Sequence, residues 1–321
     1  MAEHLQTLAA GLLSRFRRQR PLRGGSLLVT IFGDAIAPRG GAITLGSMIE
    51  LAAPFGLNER LTRTAMARLA ADGWLDSRSS GRRSEYRLSR VGRGRFLAAT
   101  RQIYSVPGLP WTGTWTMVVL PAASQSGRQA ARNALSWAGF GEPTTGLLVH
   151  PTLTAAEAGR MVRGSTELAG AVILTTGAAP ADSHRRLAAA SWHPGELAGR
   201  YRQFIRRFEP ALRAVRGRQR PQALASFVVR TLLIHEYRRI HLRDPMLPPE
   251  LLPADWVGAD AYRLCRGIYA RIAGPAERYI DTTAATFAGR LPSAGVELYG
   301  RFGGLSVLRS AAAGATPRPR R

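Results

Sequence analysis

Lysine is absent from these 321 residues, so all 45 basic side chains are arginine. Without a lysine amine there is no Walker-A phosphate loop and no Schiff-base chemistry. Cysteine occurs once, at Cys265, which excludes an internal disulfide and a cysteine-based metal cluster and fits a reducing compartment. A cytoplasmic location is therefore expected. No run of about 18 apolar residues occurs, and the N-terminus lacks a signal-peptide core, so no membrane partner is expected, with a membrane-surface or transit helix at the N-terminus as the minor alternative. Nor is there a G-x-S-x-G elbow, a G-x-G-x-x-G after a strand or a CxxC pair. These absences argue against an enzyme and against a resident cofactor or metal.

Acidic residues are also scarce. Only 21 oppose the 45 arginines, which gives a formal charge of +24. A GC-rich genome explains arginine in place of lysine but not the excess over acids, and that excess favours a polyanionic partner, nucleic acid first. The guanidinium fork suits phosphate and guanine edges.

Along the chain, residues 1–25 read as a basic amphipathic helix. Leu5, Leu8, Leu12 and Phe16 share its apolar side, and the breaker cluster "RPLRGG" is expected to detach it from the domain that begins near Ser26. "SLLVTIFGDAI" reads as a helix with Ser26 as its cap. Leu45, Met48, Ile49, Ala52 and Ala53 then mark a second helix ending at "PFG". Asn58 is a favoured N-cap for a third helix running to about Asp72, in which Leu61, Ala65 and Leu69 form the predicted core-facing stripe. Stepping 100° per residue puts Arg60, Arg63 and Ala67 on the opposite face, with Thr64 at its margin and Arg68 nearer the core edge.

Helix, tight turn and helix is the helix-turn-helix pattern, whose second helix reads the major groove. Two short strands at about 74–78 and 84–89, joined by a Ser/Gly/Arg tip, add a hairpin and make the pattern a winged helix-turn-helix. Residues 78–95 carry seven arginines (78, 82, 83, 87, 90, 93 and 95) against Glu85 alone, a charge suited to phosphates or the minor groove. The residues expected to meet DNA are Asn58, Arg60, Arg63, Thr64, Arg68, Arg78, Arg82 and Arg83. A helix bearing arginines is most often only a solvated surface helix. The order of capped helix, preceding helix and basic hairpin is what favours DNA here.

From about Trp111 the pattern becomes β-α-β-α-β, close to a ferredoxin-like split βαβ unit with one strand unresolved. "TTGLLVHP" reads as a strand that could belong to a hairpin. Beyond Pro180 the chain reads as helical through "DTTAATFAG", interrupted by the proline-punctuated loop "RDPMLPPELLPADW". The fold class is thus α+β multidomain, with a winged helix-turn-helix, a ferredoxin-like α/β central domain and an all-α C-terminal domain. The divisions are 1–25, 26–105, 106–180, 181–310 for effector binding and dimerisation, and a small, polar tail at 311–321 expected to be disordered.

In "HEYRRIHLRDP", His235 and His241 are six apart, about 240° around a helix, and cannot chelate one metal together. Glu236 is spaced to pair with Arg239. Arg238, Arg239 and Arg243 form either an ion-pair face or a clamp for an anionic ligand. Trp111, Trp115, Trp137, Trp192 and Trp256 are expected mostly in cores, with an aryl pocket wall as the sharper reading.

The segments "SLLVTIFGDAIAPRGGAITLGSMIELAAPFGLNERLTRTAMARLAADGWL" and "LIHEYRRIHLRDPMLPPELLPADWVGADAYRLC" resemble the PaaX-like repressors of bacterial phenylacetate-degradation operons, over roughly residues 26 to 290. The resemblance implies a homodimeric repressor of double-stranded operator DNA, with a central domain related in fold to a small CRISPR-associated nuclease. It further implies release by phenylacetyl-CoA or a related acyl-CoA. By position, Asn58, Arg60, Arg63 and Thr64 match the family's recognition helix, and Arg82 and Arg83 match its wing. His235, Arg238, Arg239, Arg243 and Trp256 are the candidate effector residues. Two rivals remain: a non-specific architectural DNA binder, and a nucleic-acid-processing enzyme built on the central unit.

Overall fold

A computed structural model describes residues 2–19, 24–108, 111–121, 125–176, 179–217 and 221–305. The expected tail at 311–321 lies outside them. The chain divides into two compact units: one of residues 1–106, 203–242 and 260–321, the other of 107–202 and 243–259.

The first unit opens with α1 (Ala2–Arg17). The helix is as expected, but it is not detached: Leu5, Ala9 and Phe16 are buried, and the helix packs on α10, defined below. The apolar side of an amphipathic helix must be covered, and α10 covers it here. Next comes α2 (Gly24–Ile31), which widens into a π-helical turn over Phe32–Ile36 and a 3₁₀ turn over Ala37–Arg39. Ser26 lies inside α2 rather than capping it, so that expectation fails; its carbonyl and hydroxyl instead accept bonds from Arg238.

Strand β1 (Ala42–Thr44) leads directly into α3 (Leu45–Ala52), where Thr44 accepts a bond from the Ser47 amide. After a 3₁₀ turn at Ala53–Phe55, α4 (Glu59–Ala71) is capped as predicted, Asn58 accepting from the Leu61 amide at 2.9 Å. The core stripe is shifted by one residue from the prediction. Thr62 and Met66 are fully buried, whereas Leu61 is 44% exposed and Ala65 and Leu69 are half-buried. The i, i+4 spacing was right and its phase was wrong, because one-residue rotation still offers an apolar series.

Strands β2 (Leu75–Ser80) and β3 (Arg83–Leu88) form the predicted hairpin, and β1 pairs with the far side of β3, giving the order β1-β3-β2. Then α5 (Arg90–Tyr104), a helix the sequence pattern does not predict, carries Arg90, Arg93 and Arg95, so three of the seven arginines in residues 78–95 stand on a helix and not on the hairpin. Ser89 ties this helix to the hairpin: its hydroxyl accepts from the Gly92 amide and donates to the Gly73 carbonyl. At Gly92 a Cβ would stand 2.0 Å from the Trp74 carbonyl oxygen, so only glycine allows that approach.

The second unit holds β4 (Thr116–Val119), α6 (Gln125–Trp137), β5 (Gly141–Thr144), β6 (Leu147–His150), α7 (Ala155–Arg163), β7 (Val172–Thr175), α8 (Ala181–Trp192) and the first turns of α9 (Pro194–Val215). "TTGLLVHP" is the turn and second strand of the β5–β6 hairpin. The antiparallel sheet has the order β5-β6-β4-β7. One face, through Val118 and Leu148, packs on α6 and α7; the other, through Trp115 and Val149, packs on Ala188, Leu247 and Leu251. Alternation along each strand supplies both faces. The proline-rich loop is therefore packed wall in this unit. His150 Nδ1 accepts amide bonds from Thr152 and Leu153, and burial lowers its pKa to about 4.

The chain returns to the first unit within α9, at residue 203, and continues there with α10 (Ala223–His241) and most of α11 (Gly258–Thr283). The segment "DTTAATFAG" does not stay helical: β8 (Ala285–Thr286) and β9 (Gly289–Arg290) form a small hairpin that contacts β1, so this region is not all-α. A short α12 (Val296–Tyr299) comes next. Glu236 pairs with Arg207 rather than with Arg239 as its nearest partner.

At the centre of this unit lies Asp34, 4% exposed, in the π-helical turn. Its carboxylate accepts from Arg230 Nε at 2.6 Å, Arg301 Nη1 at 2.8 Å, Tyr104 at 2.6 Å and Tyr269 at 2.9 Å. Burial alone would raise its pKa, but the two guanidiniums outweigh burial and hold it below the usual carboxylate value. Arg230 also pairs with Glu277, which pairs in turn with Arg39.

Asp34→Ala is expected to lower stability by about 3–5 kcal/mol in denaturant titrations, because it leaves two buried guanidiniums uncompensated. A carboxylate depressed in the fold contributes stability above its unfolded pKa near 3.8 and loses it as pH falls through the lower folded value. The wild type should therefore lose stability below about pH 4 more steeply than Asp34→Asn. For the shifted stripe, Met66→Ala is expected to cost about 2–5 kcal/mol and Leu61→Ala less than about 1 kcal/mol in the same assay.

Candidate nucleic-acid interface

The α3–α4 pair is joined by a turn with no slack. Phe55 and Leu57 are buried on either side of Gly56, whose φ of 81° is a left-handed conformation suited to glycine. The turn is clamped from behind. Phe16 of α1 meets Phe55 edge-on at 6.3 Å between ring centroids, Phe55 meets Phe227 of α10 at 5.9 Å, and Arg17 donates to the Pro54 carbonyl at 2.7 Å. The orientation of α4 is thus held by the N-terminal helix as well as by its own core residues.

On α4 the structure exposes Asn58, Arg60, Arg63, Thr64, Ala67 and Arg68. The Asn58 carboxamide oxygen is occupied by the cap, which leaves its amino group for an external acceptor. Arg63 bridges Glu59 at 2.5 Å, but both side chains are more than half exposed, so solvent and salt screen the pair and exchange for a phosphate or base edge costs little. Thr64 donates to the Arg60 carbonyl at 2.9 Å. Arg68, 84% exposed, lies 4.0 Å from Asp72, on the exposed side and not near the core edge. Leu61, Ala65 and Leu69 line a groove of about 740 Å³ with Val29 and Leu57.

The hairpin separates its arginines. Arg82 and Arg83 sit exposed beside Gly81 at the tip. Arg78 instead lies 5.8 Å over the Phe287 ring, and Arg87 approaches Glu85 at 3.6 Å. Arg95, on α5, stacks 4.9 Å over Trp74.

Of the five candidate effector residues, His235, Arg238 and Arg239 belong to the first unit and Arg243 and Trp256 to the second. His235 is fully buried with Nδ1 3.0 Å from Thr30 Oγ1, and Arg238 donates to Thr30 Oγ1 at 2.8 Å. Burial lowers the Arg238 pKa to about 10, which still leaves it charged at neutral pH. Arg239 is half-buried, Arg243 is exposed, and Trp256 stands edge-on to Tyr201 at 5.7 Å.

Trp115 donates to His184 at 2.9 Å and packs with Trp111 and Trp192, a core cluster as expected, whereas Trp137 is 91% exposed and in no core. The acids Glu142, Glu157 and Glu167 of the central sheet region are dispersed: the first pairs with Arg132, the second completes the capping box with Thr154, and the third accepts from Ser165. No group of three or more metal-ligating side chains occurs among the described residues, and no described helix is long and apolar enough to cross a membrane. The Asp34 cluster was missed in the sequence. Its only signal was a lone acid inside the apolar run "LLVTIFGDAI".

Three successive segments match family descriptions: residues 23–92 "PaaX-like protein", 108–188 "PaaX protein central Cas2-like domain" and 192–282 "PaaX-like protein C-terminal domain". A solved structure, the uncharacterized protein Rv0674 from Mycobacterium tuberculosis, aligns at 27% identity and a TM-score of 0.45, covering 71% of this chain and 88% of that one. The transcriptional repressor PaaX of Escherichia coli (strain K12) is 35% identical over 298 residues, which are 91% of this chain and 93% of the relative. With three consecutive matches and a near full-length relative at that identity, the chain belongs to the PaaX-like family.

Proposed function

We propose that this protein is a dimeric repressor of a phenylacetate-type catabolic operon that binds operator DNA through a winged helix-turn-helix and is released by an aryl-CoA thioester. The chain is a transcriptional regulator and not an enzyme, in keeping with its repressor relative. The observation that carries the DNA reading is the capped, exposed α4 with Arg60, Arg63, Thr64 and Arg68, followed by the β2–β3 hairpin with Arg82 and Arg83 at its tip. In this reading α4 enters the major groove, its arginines address guanine edges or flanking phosphates, and the tip binds backbone. The β5-β6-β4-β7 order supports a ferredoxin-like central domain. Arg243 is the exposed effector-side candidate; Arg239 is half-buried, and His235 and Arg238 already serve α2. A thioester that shifts the spacing of two recognition helices in a dimer abolishes simultaneous docking. Such a protein acts in the cytoplasm.

The decisive experiment is binding of the purified protein to its own upstream intergenic DNA against scrambled DNA, with and without phenylacetyl-CoA. Specific binding released by the thioester is expected. Specific binding without release would remove that ligand, and equal binding to both DNAs would replace the repressor by an architectural binder.

Arg63→Ala is expected to cost about 1–3 kcal/mol on operator DNA and little on random DNA; equal losses on both would end its base-reading role. Arg82→Ala should weaken all sequences alike and reduce the salt slope by about 1. Phe16→Ala, which loosens the clamp behind the α3–α4 turn, should lower operator affinity while every α4 side chain is retained, measured in the same titration.

A further inference from the structure

A cavity of about 480 Å³ opens between the β2–β3 hairpin and the β8–β9 hairpin. Arg39, Arg78, Arg87, Arg290, Glu85 and Phe287 define its chemistry. Arg39 is 3% exposed and is held by Glu277 and by Asp281 at 2.8 Å, so its charge is balanced inside the protein. The remaining three arginines face one carboxylate. Glu85, 4% exposed, accepts from the Phe287 amide at 2.6 Å and so fixes the turn between β8 and β9 against β3. Arg78 sits over the Phe287 ring, and Arg290 is exposed on β9.

We propose that this cavity binds a small phosphate-bearing anion with a flat ring, of the nucleotide class, and that its occupation couples the two hairpins. Guanidinium forks match phosphate oxygens bidentately. The half-buried Phe287 ring beside Arg78 offers a platform for a second ring or for a cation sandwich. The volume falls in the range of ordinary ligand sites. Glu85 opposes any phosphate alike, so the distinction rests on shape: the cavity is recessed and carries the Phe287 ring, which a duplex backbone leaves unused and a ring-bearing small ligand covers. Because Arg78 and Arg87 stand on β2 and β3, a ligand held there draws on the hairpin whose tip carries Arg82 and Arg83. Coenzyme A is also the nucleotide part of the proposed effector, so ADP, which the effector reading does not require, is the probe that tests this cavity by itself.

The test is calorimetric titration of the full-length protein, without DNA, with ADP, coenzyme A, pyrophosphate and adenosine. Saturable binding of ADP and coenzyme A is expected, with adenosine much weaker. Arg290→Ala should weaken ADP about tenfold or more, since a charge-assisted bond is lost. Phe287→Leu should weaken ADP but not pyrophosphate. Thermal unfolding of the exposed-site variant Arg290→Ala should match the wild type, which keeps the comparison valid. Absence of saturable ADP and coenzyme A binding would overturn the site, as would binding indifferent to both Arg290→Ala and Arg87→Ala. Loss of random-duplex affinity in these variants with no nucleotide binding would assign the surface to DNA instead.

Discussion

Asp34 is the constraint on which the first unit depends. A single carboxylate, almost without solvent, lies between Arg230 and Arg301 and accepts from Tyr104 and Tyr269. An isolated buried charge is among the most unfavourable things a fold can contain, and removal of one partner leaves the others stranded. The cluster therefore acts as an all-or-none lock between segments far apart in the chain, with Arg230 196 residues and Arg301 267 residues from Asp34. The π-helical turn at Phe32–Ile36 is what brings both its side chain and its carbonyl to the same two arginines.

This lock also backs the α3–α4 pair. Arg230 and Phe227 share α10, so the helix that neutralises Asp34 also backs Phe55 in the turn before α4. From the other side α1 supplies Phe16 and Arg17 to the same turn. The exposed arginines of α4 stand on a helix whose direction is fixed by packing, the arrangement that the proposed base reading needs. The same unit presents Arg82 and Arg83 on a hairpin that is pinned at its base through Ser89 and Gly92.

Much of this was legible in the residues. The Asn58 cap, the helix to Asp72, the two strands and the exposed face with Arg60 and Arg63 arise from local rules: side-chain capping, helical spacing and alternation. The phase of the α4 core stripe was not legible. Leu61, Ala65 and Leu69 are more apolar than Thr62 and Met66 taken together, and only the position of neighbouring elements decides which series is covered. Nor was the third strand, Ala42–Thr44, three residues long and defined solely by a partner distant in the chain, Glu85 to Arg87.

The sequence by itself determined the class of protein: an all-arginine basic balance, a capped helix pair with a basic hairpin, and family segments in order. These are properties of local spacing and composition, which need no third dimension. Tertiary structure decided what each charge is for. Arg230, Arg301 and Arg39 neutralise buried carboxylates, Arg78 lies against Phe287, and Arg60, Arg63 and Arg82 remain at the surface. One residue type with one charge serves three roles, and burial, which depends on contacts hundreds of residues apart, is what separates them.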